Sequence, residues 1–138
     1  MNLANNTENR GTILAVDDDP GILVLVQAIL TGAAYRVVAA RSGEDAVRLA
    51  AQRHLHIDAA LLDVRMSNVR PRKLAGEILS LRPKLPIVFM SGIVDAEIIR
   101  IRVTDDYAGL LPEPCKRSGL LLAVRQAMEV AASACQSP

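Results

Sequence analysis

The sequence predicts an α/β domain: a doubly wound parallel sheet of five strands in the repeating order (βα)5. Three observations carry that reading. Five short apolar runs recur along the 138 residues, each closed by polar or turn-forming residues. Between them lie segments with apolar residues at helical spacing. The strict alternation of the two patterns implies parallel strands joined by right-handed crossovers, with helices on both faces of the sheet.

Thr12-Ile-Leu-Ala-Val16 is apolar almost throughout and is followed by acid, the pattern of a strand buried on both faces. Gly21 to Leu30 is too densely apolar for a solvated loop and predicts the first helix. Asp19 and Pro20 before it suit the cap and first turn, because proline lacks only an N–H that has no partner there anyway. Tyr35 to Ala40 predicts the second strand. Ser42-Gly-Glu-Asp45 then resembles a helix start, with Ala46, Val47, Leu49 and Ala50 at helical spacing. Ile57 to Leu62 predicts the third strand, ending at Asp63, and Pro71 to Leu81 the next helix. Leu85 to Met90 predicts the fourth strand, closed by Ser91-Gly92. Asp95 to Val103 has a helical pattern, Tyr107 to Leu111 reads as the fifth strand, and Ser118 to Ala132 as the last helix. Residues 1–10 and 135–138 are expected to form frayed tails around one domain spanning 11–134.

Composition excludes several classes. The formal charge is +1 and both signs are spread along the chain, so nothing favours nucleic acid as a partner. No apolar run approaches the length of a membrane span. Met1 to Arg10 carries no basic-then-apolar leader, which points to the cytoplasm. Cys115 and Cys135 fit neither a disulfide framework nor a zinc site. His54-Leu55-His56 lies before the third strand and reads as surface histidines. Arg70, Arg72 and Lys73 read most simply as a solvated face, with attraction of an acidic partner or a phosphodonor as the functional rival. Met66, Met90 and Met128 read as filler in the core or at contacts.

Ligands of such sheets sit at the carboxyl ends of the strands, near the point where strand order reverses. The residues to read are therefore Asp17 to Asp19, Asp63 to Met66, Ser91-Gly92, and Leu111 to Pro114. If Asp17, Asp18 and Asp63 converge there, three carboxylates repel one another unless a cation sits among them. Hard oxygen donors in a shallow, wet site suit Mg²⁺. Asp19 is set apart as the helix cap.

From about Thr12 to Ala132 the chain resembles the receiver domain of two-component response regulators. That family has an acidic pair after the first strand, a phosphoacceptor Asp after the third, Thr or Ser after the fourth, and Lys-Pro after the fifth. Here the corresponding stretches read V-D-D, L-L-D-V-R-M, F-M-S-G and L-L-P-E-P. The resemblance implies a flavodoxin-like receiver fold in which Asp63 accepts a phosphoryl group. The donor would be a phosphohistidine on a sensor histidine kinase or phosphotransfer protein, or a small donor such as acetyl phosphate. It implies Mg²⁺ at Asp18 directly, at Asp17 through water, at Asp63, and at the backbone carbonyl of Arg65. It also implies a hydrogen bond from Ser91 to a phosphoryl oxygen, with Gly92 leaving room for it. The metal would neutralise charge on the transferring group, the largest part of such catalysis.

Departures from the family pattern are specific. The lysine before the last-strand proline is replaced by Glu113, a carboxylate facing a phosphoryl group at a cost of roughly 1 to 4 kcal/mol. Glu113 is expected to pair with Arg65, whose guanidinium also lies in reach of the phosphoryl oxygens. Ser67 and Pro71 replace a proline and a glycine, so the loop between them must take another path, since Pro71 cannot adopt positive φ. Leu110 stands where the family carries a switching aromatic ring. The leading expectation is a stand-alone receiver, with no residues left for an output domain. It would signal through the face made by the 95–103 helix, the fifth strand and the last helix, and it leaves homodimer formation open. Two alternatives stand beside it: a degenerate receiver that binds partners without phosphorylation, and a small aspartate-nucleophile phosphohydrolase suggested by Asp17-x-Asp19.

Overall fold

The computed structural model describes residues 9–66, 70–91, 109–112 and 117–136. The elements are β1 (Thr12–Val16), α1 (Pro20–Gly32), β2 (Arg36–Ala40), α2 (Gly43–Ala50), β3 (Ala59–Asp63), α3 (Pro71–Leu81), β4 (Ile87–Ser91), β5 (Gly109–Pro112) and α4 (Arg117–Gln136). All neighbouring strands are parallel, in the order β2-β1-β3-β4-β5. Strand order therefore reverses between β1 and β3, and that switch point positions the site.

The continuous apolar runs follow from burial of the inner strands on both faces. Alternate residues serve opposite layers. Leu14, Val16, Ala60, Leu62, Ile87 and Phe89 pack with Leu74 and Ile78 of α3 on one side. Ile13, Ala15, Leu61, Val88 and Met90 pack with Val26 and Leu30 of α1 and with Leu120 and Val124 of α4 on the other. β2 is an edge strand and is only partly buried, which explains its mixed sequence and the exposed Arg36.

Local chemistry sets the helix starts. Asp19 has extended φ and ψ (−91°, 110°), and its carboxylate accepts the N–H groups of Gly21 and Ile22, at 2.8 and 3.4 Å, while Pro20 opens α1. Ser42 accepts the Asp45 N–H at 3.1 Å, with Glu44 and Asp45 in the first turn favoured by the helix dipole. Pro71 opens α3 after Arg70.

The strand bounds differ from expectation by one or two residues, for local reasons. Tyr35 gives its N–H to Leu30 O at 3.0 Å, closing α1 beyond the left-handed Ala34 (φ 73°), so β2 begins at Arg36. Asp58 takes the Thr12 N–H on its carboxylate at 2.7 Å, and β3 begins after it. Leu85 is held in a turn by Arg82 O, and β4 begins beyond Pro86. α4 runs on to Gln136, past the expected end at Ala132. The expected helix over 95–103 lies outside the described residues, as do Ser67, Gly92, Tyr107, Glu113 and Cys115. Among the described residues no helix is long and apolar enough to cross a membrane.

Candidate functional site

β1 and β3 are in register with Val16 opposite Leu62, so Asp17 and Asp63, one step further on, emerge side by side at the switch point. Asp17 is fully buried. Its N–H donates to Ala40 O at 3.1 Å, tying it to the end of β2, and its Oδ1 accepts the Asp19 N–H at 2.9 Å. Asp63 is also buried, and its Oδ1 accepts the Arg65 N–H at 2.9 Å. The next residue, Val64, continues the ladder onto Met90 O at 3.0 Å. Asp18 is exposed, at the mouth.

One carboxylate oxygen from each of Asp17, Asp18 and Asp63 lies within 4.8 Å of the other two. Two unit charges at that separation repel by about 3 kcal/mol at an effective dielectric of about 20. Two of the three acids are buried and held by main-chain bonds, so the sheet fixes this crowding in place. The donor set, hard oxygens only, fits a hard dication that retains several waters, as Mg²⁺ does. A soft metal would call for thiolate or imidazole, and neither is in this cluster.

The remaining predicted residues distribute unevenly. Asp19 turns away to cap α1, so the three consecutive aspartates perform different tasks. Arg65 is exposed and touches Asp63 through its backbone N–H. Ser91 ends β4 opposite Pro112 and follows Met90, the partner of Asp63, so its backbone is at the same end of the sheet as the acids. Leu110 pairs with Phe89 in β5. His54 and His56 sit before β3, at the opposite end, where His56 Nε2 bonds Asp58 Oδ1 at 2.8 Å. Arg70 and Lys73 line a groove of about 430 Å³ between α2 and α3, over Val47 and Leu74.

Two features escaped the sequence. Asp58 spends its carboxylate on the first residue of β1, and Arg82 reaches across to α2. Neither lies in a motif. Only the position of each charge beside an element boundary hints at its role.

Known proteins fall in line with this geometry. The family model described as response regulator receiver domain matches residues 13–125. The transcriptional regulatory protein GlrR of Escherichia coli is 29% identical over 122 residues, which cover 88% of this chain and 27% of GlrR. The transcriptional regulatory protein ZraR of Salmonella typhimurium is 40% identical over 85 residues, 62% of this chain and 19% of ZraR. The chain thus spans about a quarter or less of the length of these relatives. A CheY-like receiver domain structure from Methanospirillum hungatei superposes with a TM-score of 0.82 at 20% identity, over 90% of this chain and 98% of its own, and shares the fold. With its acids gathered at the switch point and its family match running from β1 into the last helix, the chain belongs to the response regulator receiver domains of two-component signalling.

Proposed function

We propose that this chain accepts a phosphoryl group on Asp63 from a phosphohistidine of a sensor histidine kinase or phosphotransfer protein. The observation that carries the reading is the convergence of Asp17, Asp18 and Asp63 within 4.8 Å. With one Asp63 oxygen held by the Arg65 N–H, the other attacks phosphorus. The P–N bond to the donor imidazole breaks, its electron pair stays on the imidazole nitrogen, and an acyl phosphate forms on Asp63. Mg²⁺, when bound, supplies neutralisation of charge on the transferring group. Asp18 and Asp63 would hold it directly, Asp17 through water, and the Arg65 carbonyl would complete the protein donors. Ser91 hydrogen-bonds a phosphoryl oxygen. Glu113, in the place of the usual lysine, would pair with Arg65, whose guanidinium would also come within reach of the phosphoryl oxygens.

In this reading the domain, residues 11–134, is a cytoplasmic signalling module, catalysing no more than its own phosphorylation and dephosphorylation. It signals through the face that includes β5 and the last helix. A second reading, a receiver that binds partners without phosphorylation, is favoured by Glu113 and by Leu110 in the place of an aromatic ring. The phosphohydrolase alternative loses support, because its second aspartate, Asp19, is engaged as the α1 cap.

Intact mass after incubation with Mg²⁺ and acetyl phosphate tests the proposal. One added phosphoryl group, lost in Asp63→Asn and reduced in Asp17→Asn, is expected. Labelling that survives Asp63→Asn refutes the acceptor assignment. No labelling from any donor, a cognate kinase included, supports the second reading.

A further inference from the structure

Among the described residues, the end of the sheet opposite the acids gathers charge of the other sign. There the turn after α2 meets the turn after α3, and Arg82 joins them: its Nε donates to Ala50 O at 2.9 Å and an Nη to Gln52 O at 2.7 Å. A cleft opens on each side of it. One, of about 400 Å³, is lined by Arg53 and Leu81. The other, of about 450 Å³, is lined by Lys84 and by Pro83 and Pro86, and Arg82 stands in the wall of both.

Residues 50–58 and 80–86 carry Arg53, Arg82 and Lys84 against a single acid, Asp58. The Asp58 carboxylate is occupied by the Thr12 N–H and by His56. Cations at this end complement the carboxyl ends of α2 and α3, and Arg82 performs that task by direct bonds. Arg53 and Lys84 do not share in it. Both are exposed and make no hydrogen bond or ion pair among the described residues. Leu81, 44% exposed, adds an apolar surface between them.

We propose that these paired clefts dock an acidic peptide segment of a partner protein, one that carries apolar side chains between its carboxylates. Charge complementarity selects the sign of the partner, and Leu81 with the two prolines offers the apolar seats. A peptide suits the clefts better than a single-stranded nucleic acid, which needs aromatic faces for stacking, and among the described residues no aromatic one lines either cleft. An anionic segment is repelled from the acidic pocket and drawn to the far pole, so this docking does not depend on the phosphoryl reading and leaves Asp63 accessible.

The test uses the full chain and a fluorescein-labelled synthetic peptide of alternating Glu and Leu. Binding is expected to saturate below about 1 mM, to weaken with added salt, and to fall about tenfold in the Arg53→Glu/Lys84→Glu variant at an unchanged thermal midpoint. If charge reversal disturbs folding, Arg53→Gln/Lys84→Gln replaces it, with a smaller loss in the same direction. Amide shift changes in residues 50–58 and 80–86 locate the peptide. No saturation, affinity indifferent to both variants, or shifts confined elsewhere overturns the proposal. A single-stranded oligonucleotide binding more tightly than the peptide also overturns it, assigning the surface to nucleic acid.

Discussion

Asp17 Oδ1 accepts the backbone N–H of Asp19 at 2.9 Å, so the buried acid of the cluster and the helix cap share one turn of main chain. The carboxylate of Asp19 points elsewhere, to the N–H groups of Gly21 and Ile22. Asp19→Ala is therefore expected to cost about 1 kcal/mol of stability through the lost cap, while Mg²⁺ affinity stays within about twofold. Urea unfolding read beside a Mg²⁺ titration checks both. A large loss of metal affinity would give Asp19 a place in the pocket.

Repulsion among the three clustered carboxylates is expected to lower the stability of the metal-free protein. Asp17→Asn removes one charge from the cluster and is expected to raise the metal-free thermal midpoint by several degrees, since about 1 kcal/mol moves a domain of this size by that much. The same variant is expected to lose most of the midpoint rise that saturating Mg²⁺ gives the parent. Scanning calorimetry with and without Mg²⁺ measures both. A variant destabilised in the absence of metal and still stabilised by it contradicts the repulsion account.

In the proposed reading Glu113 holds the place of the family's lysine, and Glu113→Lys returns a cation to that position. Exchanging repulsion for attraction there is expected to speed labelling of Asp63 by acetyl phosphate about tenfold, equivalent to about 1.4 kcal/mol in the barrier. Time-resolved intact mass provides the rate. An unchanged rate would mean that Arg65 already supplies the needed charge.

Gly11 adopts φ 141°, and a Cβ placed there would lie 2.8 Å from Met128 Cε and 3.0 Å from Asp58 Oδ2. Gly11→Ala is expected to cost roughly 1 to 3 kcal/mol, from backbone strain and displacement of the carboxylate that holds Thr12. Denaturant midpoints report the loss. Met128→Ala in the same chain relieves the methyl contact and not the backbone strain, so it should recover only part of it.

Arg82→Ala removes two bonds to main-chain carbonyls and is expected to destabilise by about 1 to 3 kcal/mol. Faster amide exchange around the end of α2 than in β1 would place the effect. Uniform loss across the domain would argue against a local tie.

How far the sequence reveals the molecule depends on the range of the interaction. β1 and α3 stand at their expected residues, because an unbroken apolar run and a proline at the first helical turn are local signals. The acids at the strand ends were legible for a related reason: alternation places every strand end on one rim. The bounds of β2 and β3 were less so, since they are set by individual hydrogen bonds that no apolar pattern records. Tyr35 is captured by the end of α1, and Asp58 by Thr12 in β1, 46 positions away. The tie from Arg82 to α2 is invisible for the same reason, since a guanidinium after a helix looks like any surface charge. Glu113 is legible as a substitution of charge, and it lies outside the described residues.

The hydrogen bond from Asp17 N–H to Ala40 O joins the acidic pocket to an outermost strand of the sheet, β2. Edge strands open more readily than central ones, and an opening of β2 that reaches Ala40 releases the Asp17 amide to solvent. Any ligand that holds the Asp17 carboxylate in place resists that opening. Amide exchange along Arg36–Ala40 thereby becomes a gauge of pocket occupancy, read from a strand that contributes no side chain to the acidic cluster.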